Sequence, residues 1–244
     1  MRRLPWVLLG ALVLVQVCYP LASDRALFSV ATVVLGYLFS IVHAFLSRGL
    51  PALLALLGVT VGGFLIEALG VATGFPFGSY SYSGALGPQL LGVPLIIPLA
   101  WTWMAWPAWL AATRLGSSRW ARIAVGAFGL AAWDLFLDPQ MVAEGYWRWL
   151  DPTPALPGLP GIPAANFLGW LGFAVLVMAL LSTVGGLSTG DDRPALALWF
   201  WTYASSVLAH AVFLDLPASA AWGGVTMGLV VLPLAVRLAR RRPA

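Results

Sequence analysis

The sequence contains no lysine, and all thirteen of its basic residues are arginine. A protein that holds retinal or another carbonyl compound as a lysine Schiff base is therefore excluded. Charged residues of either sign are also scarce, at 9% of 244 residues, whereas hydrophobic residues make up 61%. A water-soluble domain of this size could not cover that composition with polar surface. The composition therefore indicates that most of the chain lies in lipid.

Cysteine is nearly absent as well. Cys18 is the single cysteine, so the chain can form neither an internal disulfide nor a cysteine metal cluster. The arginines lie at the ends of apolar runs and in the C-terminal tail, not in a stripe among exposed aromatic residues. Nucleic acid is therefore not expected as a partner, and a membrane surface accounts better for the net charge of +4.

Long apolar runs without period-two alternation favour helices over a β-barrel, since backbone groups in hydrocarbon must hydrogen-bond within the protein. A helix of roughly 20 apolar residues crosses a bilayer. The pattern predicts an all-α, polytopic transmembrane helical bundle that forms a single domain over residues 1–244. Its eight predicted spans are about 4–22, 26–46, 50–73, 93–114, 119–138, 166–186, 194–214 and 218–238. The first run resembles a cleaved signal peptide in its flanks, but its apolar core is long enough for a span.

The arginines predict the orientation of these spans. With an even number of spans both termini lie on one side, and placing them in the cytoplasm leaves only Arg25 and Arg148 outside. This asymmetry is the one expected from the positive-inside rule. The arginines placed inside are Arg2, Arg3, Arg48, Arg114, Arg119, Arg122, Arg193, Arg237, Arg240, Arg241 and Arg242.

Two long connections, residues 74–92 and 139–165, fall on the outer side in this topology. The first contains FPFGSYSYSGALGPQLLG, which has no charge and is rich in Gly, Pro and Tyr. This composition suits a re-entrant or surface-lying loop better than a solvated linker. The second connection carries aromatic residues suited to the membrane interface.

Ionisable groups inside a span cost several kcal/mol unless they are partnered, so each one is a candidate for function. Glu67 lies in the third run, Asp134 and Asp138 in the fifth and His210 in the seventh, with Asp215 just beyond it. The third, fifth and seventh runs all cross the membrane from the inside to the outside in this topology. Glu67, Asp134 and His210 would therefore all lie roughly 5–10 Å below the outer helix ends. All five residues are predicted to be catalytic, and a structural hydrogen bond between helices is the alternative for Glu67 and His210.

Asp134 and Asp138 are four residues apart and are therefore expected on one helix face. Asp138 precedes Pro139, which is expected to end the helix. An interfacial position at that helix end is therefore the alternative for Asp138.

Aromatic residues are the candidates for substrate binding, because their ring faces attract a cation and their surfaces accommodate a conjugated chain. No metal is expected, since the acidic residues and histidines show no His-rich or Glu-x-x-His spacing. The predicted substrate-binding residues are Tyr80, Tyr82, Trp133, Trp103 and Trp106.

Two blocks resemble a known family: GFPFGSYSYSGALGPQLLGVPLIIPLAW, residues 74–101, and AAWDLFLDPQMVAEGYWRW, residues 131–149. In sequence, order and placement between apolar runs they are similar to the carotenoid-biosynthesis membrane proteins that include the CruF-type carotenoid 1′,2′-hydratases. The resemblance implies addition of water to the terminal ψ-end double bond of a carotene of the lycopene or γ-carotene type. It further implies a carotene drawn from the bilayer, a prokaryotic plasma membrane, and other carotenoid-pathway enzymes as partners.

Such a hydration begins with proton transfer to an alkene and ends with capture of a tertiary carbocation by water. Asp134 or Glu67, buried among apolar residues, is the expected acid, because burial disfavours the charged form. Asp138, Asp215 or His210, nearer the aqueous face, is the expected proton acceptor. The reaction requires no redox or organic cofactor.

Two other functions remain open from the residues alone. Cyclisation of a carotenoid end group would begin with the same cation. A non-catalytic transporter or pigment-binding protein could use buried acids for proton coupling, although the chain lacks the internal duplication that transporters often have.

Overall fold

The computed structural model of the protein describes residues 3–184 and 190–240. Arg2, Arg241 and Arg242, which contribute to the predicted orientation, lie outside the described residues. The described part forms eight α-helices and four short strands, so the predicted all-α helical bundle is confirmed. The helices are α1 Leu4–Cys18, α2 Arg25–Arg48, α3 Leu50–Thr73, α4 Ile97–Leu115, α5 Arg119–Ala143, α6 Ala164–Leu181, α7 Arg193–Leu208 and α8 Pro217–Arg240. The strands are β1 Tyr80–Tyr82, β2 Gln89–Leu90, β3 Val93–Pro94 and β4 Trp147–Trp149.

Within the described residues, seven helical segments are long and apolar enough to cross a membrane, and the chain is an integral, multi-pass membrane protein. The remaining helix, α4, is less apolar because Trp, Thr and Pro residues interrupt its sequence. Its 19 residues would still extend about 28 Å at the rise of an α-helix. Eight crossings with both termini in the cytoplasm remain a prediction.

Helix α4 is the centre of the bundle, since 15 of its 19 residues are buried. Its large tryptophans fit because glycines on the neighbouring helices leave room for them. A Cβ atom at Gly36 of α2 would meet the Trp103 ring at 2.8 Å, and one at Gly63 of α3 would meet Trp101 at 3.2 Å. Small residues thus allow the close helix approach on which packing in membranes depends.

Pro107, Pro139 and Pro233 lie inside helices, and a serine of a neighbouring helix accommodates each of the first two. A proline leaves the carbonyl four residues earlier without its helical donor. For Pro107 that carbonyl belongs to Trp103, and Ser40 Oγ of α2 donates to it at 3.0 Å.

The same arrangement accommodates Pro139 in α5. The carbonyl that it leaves free belongs to Leu135, and Ser219 Oγ of α8 donates to it at 2.6 Å. The prediction that Pro139 ends the helix is therefore wrong, and α5 continues to Ala143. As a result, Asp138 lies within the helix rather than at its end.

The two long connections pair with each other at one end of the bundle, which we call the site end. Strand β1 from the first connection runs antiparallel to β4 from the second, with Tyr80 opposite Trp149 and Tyr82 opposite Trp147. Strands β2 and β3 form a separate hairpin. The sequence did not indicate strands here, because each is only two or three residues long.

The opposite end, which we call the arginine end, is held by a buried ion cluster. Asp192 accepts hydrogen bonds from both terminal nitrogens of Arg48, at 2.9 and 3.1 Å, and from Arg114 at 2.7 Å. Burial of Asp192 opposes its ionisation, but the hydrogen bonds and charges of the two arginines outweigh burial and hold its pKa below the usual range. The cluster joins α2 and α4 to the start of α7.

We expect Ser40→Ala to lower the free energy of unfolding by about 0.5–2 kcal/mol, because the Trp103 carbonyl then lacks a donor. In a Pro107→Ala background the same change should cost less, since the helix supplies its own N–H group. Thermal and SDS-induced unfolding in detergent would measure this double-mutant cycle, with the exposed Ser23→Ala as control. An equal cost in both backgrounds would contradict the assigned role of Ser40.

Candidate active site

Glu67 is a buried carboxylate of α3 that accepts three hydrogen bonds. Trp101 Nε1 donates to its Oε1 at 2.9 Å, while the hydroxyl groups of Tyr80 and Tyr82 donate to its Oε2 at 2.6 and 2.7 Å. Burial, followed by the adjacent charge of Glu67, raises the pKa of both tyrosines, so that each keeps its proton and acts as a donor. The two oxygens of one carboxyl group can accept all three of these hydrogen bonds.

The pairing of β1 with β4 sets the positions of these tyrosines. Alternate residues of a strand face the same side, so Tyr80 and Tyr82 both point toward the bundle. Their cross-strand neighbours Trp149 and Trp147 lie on that side too and are buried. Trp149 Nε1 donates to the Phe77 carbonyl at 2.8 Å, which ties β4 to the segment before β1.

Asp134 and Asp138 lie on one face of α5, as their spacing predicts, and share one amide. Asn166 of α6 donates through Nδ2 to Asp134 Oδ2 at 2.9 Å and also to Asp138 Oδ2. Trp147 Nε1 donates to Asp138 Oδ1 at 3.1 Å. The other oxygen of Asp134 is buried and has no hydrogen-bond partner among the described residues.

Glu67, Asp138 and Asn166 all line one small cavity of about 50 Å³, which we call the carboxyl cavity. The remainder of its wall is largely apolar, and its aromatic members come from both long connections and from α4 and α6. They are Phe77, Tyr80, Tyr82, Trp101, Trp147, Trp149 and Trp170. The cavity therefore combines two acidic groups with ring faces that can attract a cation.

A larger cavity of about 480 Å³, which we call the lateral cavity, lies beside the first among α1, α2, α5 and α7. The two cavities have five lining residues in common: Ser29, Val33, Ala100, Leu137 and Met141. Trp103 and Trp133 line the lateral cavity, with their ring centroids 5.4 Å apart. Its rim includes exposed apolar residues of α1, of the end of α7 and of the turns that follow these two helices, namely Val17, Leu21, Leu208 and Phe213. The lateral cavity thus meets the apolar surface of the bundle.

His210 lines the lateral cavity rather than the carboxyl cavity. It lies in a π-helical turn, Ala209–Phe213, and such turns are frequent at functional sites. Its Nδ1 lies 2.8 Å from Ser219 Oγ, whose own hydrogen goes to the Leu135 carbonyl, so Nδ1 is the donor of this pair. Its other ring nitrogen, Nε2, lies 3.3 Å from Oε1 of Gln140.

The structure thus brings together Glu67, Asp138, Tyr80 and Tyr82 of the predicted site residues, with Asp134 behind Asp138. Trp106 and Asp215 are not among the described residues that line either cavity. Trp106 is buried and donates through Nε1 to His43 Nδ1 at 2.9 Å. Asp215 is exposed just after the π-helical turn.

Asn166, Trp101 and Trp147 contact the acidic groups directly, but sequence reasoning did not assign them to the site. Asn166 is a polar residue in an otherwise apolar run, and that was an available signal. The indole donors could not have been identified, because nothing in their spacing separates them from tryptophans used for packing. In residues 3–184 and 190–240, no group of three or more His, Cys, Asp and Glu side chains is arranged to hold a metal ion.

The fold and the site define a multi-pass helical membrane protein with buried carboxyl groups beside an aromatic-lined cavity. The chain belongs to the family described as carotenoid biosynthesis proteins, whose sequence profile matches residues 28–235. The family resemblance found in the two sequence blocks is thereby confirmed.

A curated relative from Haloarcula japonica is named bisanhydrobacterioruberin hydratase. It is 38% identical to this chain over 99 residues, which cover 38% of this chain and 34% of the relative. The match therefore spans about a third of the relative's length. No solved structure is significantly similar to this chain.

Asn166→Leu should lower the free energy of unfolding by about 1–3 kcal/mol, because two buried carboxyl groups lose their common donor. Adding Asp134→Leu should recover part of that loss, since one of the unpaired groups is then removed. Thermal unfolding in detergent would measure both variants, with the exposed neighbour Leu168→Ala as control. A double variant less stable than Asn166→Leu alone would argue against the shared-amide arrangement.

Proposed function

We propose that the protein is a carotenoid hydratase, a hydro-lyase that adds water to the terminal ψ-end double bond of a carotene. Lycopene or γ-carotene is the proposed type of substrate, and a tertiary 1′-hydroxyl group is the product. The family membership and the hydratase name of the relative support this class of reaction. The observation that carries the proposal is that Glu67 and Asp138 line one aromatic cavity next to a larger cavity open to apolar surroundings.

Asp138 is the proposed acid. Two carboxyl groups that share one amide in an apolar interior hold one proton between them, because adjacent like charges repel and burial disfavours the charged form. Asp138 lines the cavity, and Asp134 is the partner of the pair. The π electrons of the alkene form a C–H bond with this proton at the less substituted carbon, which leaves a tertiary carbocation.

The carbocation needs stabilisation in a site with little water. The faces of Trp101, Tyr80 and the neighbouring rings present negative charge density to it. Glu67 supplies a full negative charge that three hydrogen bonds hold in place. A fixed charge of this kind acts without reorganisation during the reaction.

Water then forms a C–O bond at the cation and gives one proton to the Glu67 carboxylate. The proton returns to Asp138 across the cavity that both groups line. The sum of these steps is alkene plus water giving alcohol, with no oxidant or reductant, so the reaction requires no redox cofactor.

These roles differ in part from the sequence-based expectation. Asp134 is assigned to share one proton with Asp138 instead of contacting substrate. His210 faces the lateral cavity, and Asp215 is exposed, so neither is given a role in proton transfer here.

The geometry also supports a route for the substrate. A carotene is an apolar rod that partitions into the bilayer, and the lateral cavity offers it an approach between α1 and α7. We propose a prokaryotic plasma membrane, with the end group reaching the carboxyl cavity past the shared wall of Ala100 and Leu137.

Expression in cells that accumulate lycopene or γ-carotene should give a pigment heavier by one water, detected by chromatography with mass detection. Asp138→Asn and Glu67→Gln should each lower the yield by about 10²–10⁴-fold, since each removes one proton-transfer group. Asp151→Asn, an acidic residue of the exposed loop, is the matched control and should keep its activity.

Full activity of both carboxyl variants, at normal levels in the membrane, would overturn the assigned site. A ring-closed isomer of unchanged mass would replace the hydratase by a cyclase. Unchanged pigment would favour the transport or binding alternative.

Gly70→Ala should lower hydratase activity by at least about tenfold, because a Cβ atom there would meet Tyr80 Oη at 2.6 Å and displace it from Glu67. Gly62→Ala on the same helix is the control, since its Cβ would meet Phe173 at an ordinary 3.5 Å. Product yield per membrane-inserted protein is the measurement. Equal activity of the two variants would remove Tyr80 from the mechanism.

A further inference from the structure

The lateral cavity contains hydrogen-bonding groups that have no partner. Thr202 Oγ1 and Trp103 Nε1 are buried and make no hydrogen bond to any of the described residues, and their side chains are 3% and 2% exposed. Both residues line this cavity.

Unpartnered buried polar groups point to an occupant that carries polar atoms. Each one left without a partner costs about 1–3 kcal/mol, and most buried polar groups in proteins are satisfied. A pure hydrocarbon in this cavity would leave them all unsatisfied. An alcohol oxygen can accept a hydrogen bond from the Trp103 indole and also donate to Thr202.

The walls and the rim require that the occupant also has an apolar body. Leu21, Leu208 and Phe213 at the rim are exposed on the outside of the bundle, where a membrane protein contacts acyl chains. Water alone would satisfy the two unpartnered polar groups but not this apolar surface. The volume of about 480 Å³ lies within the range of small-molecule sites.

We propose that the lateral cavity binds an isoprenoid chain that carries a hydroxyl group. The proposed function supplies only the isoprenoid nature of the chain, whereas the preference for an alcohol comes from the unpartnered groups. The product of the proposed hydration is such an alcohol, and the shared wall places it next to this cavity.

The test compares retinol with its deoxy hydrocarbon, because both absorb tryptophan emission and differ by one hydroxyl group. Trp103, Trp133 and Trp201 line the cavity, so quenching of tryptophan fluorescence reports binding. The protein is held in phosphatidylcholine nanodiscs, and Kd is expressed as mole fraction in the bilayer so that differences in partitioning cancel. Retinol should bind about three- to tenfold more tightly than the hydrocarbon.

Thr202→Val removes one hydroxyl group without changing the shape of the side chain, and it should reduce that preference at least about twofold while hydrocarbon binding is kept. Thr113→Val is the matched control. Thr113 lies in α4, where its hydroxyl group donates to the Leu110 carbonyl, and it is not among the cavity residues. Equal binding of the two probes, binding of neither, or a preference unchanged by Thr202→Val would overturn the proposal.

Failure of this proposal is distinguishable from failure of the proposed function. Both probes have a cyclised end and lack the ψ-end double bond, so neither can be hydrated in the proposed way. Loss of the retinol preference would leave the hydratase assay unaffected, and a negative hydratase assay would leave the binding result standing.

Discussion

A buried carboxylate inside a bundle of apolar helices must find hydrogen-bond donors, and this requirement organises the site end of the protein. The helices use their backbone N–H groups internally, so the donors to Glu67 have to be side chains. Two of them, Tyr80 and Tyr82, come from β1, which takes its own backbone partners from β4. Because β4 also carries Trp147 to Asp138, the same pair of strands serves both acidic groups. The long connections are therefore part of the site rather than linkers between spans.

Helix α4 gives this arrangement a rigid support. Its buried tryptophans reach in two directions, with Trp101 donating to Glu67 at the site end and Trp106 donating to His43 near the arginine end. Proline within such a helix would weaken it if the freed carbonyl remained unpaired, but Ser40 supplies the missing donor. Ser219 donates in the same way to the freed carbonyl of α5, and it also accepts a hydrogen bond from His210. The serine that accommodates Pro139 therefore also positions His210 in the lateral cavity.

Hydropathy was sufficient to predict a bundle of apolar helices, because roughly 20 apolar residues have few alternatives in a membrane. The high cost of an ionisable group in hydrocarbon likewise identified Glu67, Asp134 and Asp138 as residues that would require partners. The partners themselves were harder to predict, since Asn166 and Trp101 are brought near by tertiary packing. The prediction that Pro139 ends its helix was wrong because a proline can stay inside a helix when another helix supplies the missing donor. That donor, Ser219, lies 80 residues further along the chain, so the local sequence did not reveal it. Trp106 bonds to His43 and is not among the described residues that line either cavity, because aromatic residues of one helix point in all directions around it.

The two cavities differ in the polar atoms that they leave without a partner. Under the proposed reaction, this difference favours movement of the product from the carboxyl cavity to the lateral cavity. In the carboxyl cavity the oxygens of Glu67 and Asp138 already accept from tyrosine, tryptophan and asparagine donors, so this cavity holds no unpartnered donor for an alcohol oxygen among the described residues. In the lateral cavity Thr202 and Trp103 are unengaged. An apolar end group is therefore tolerated beside the acids, whereas the alcohol formed there finds better partners across the shared wall. Conversion of hydrocarbon to alcohol would thus move the chain from the first cavity toward the second and vacate the acids for the next molecule.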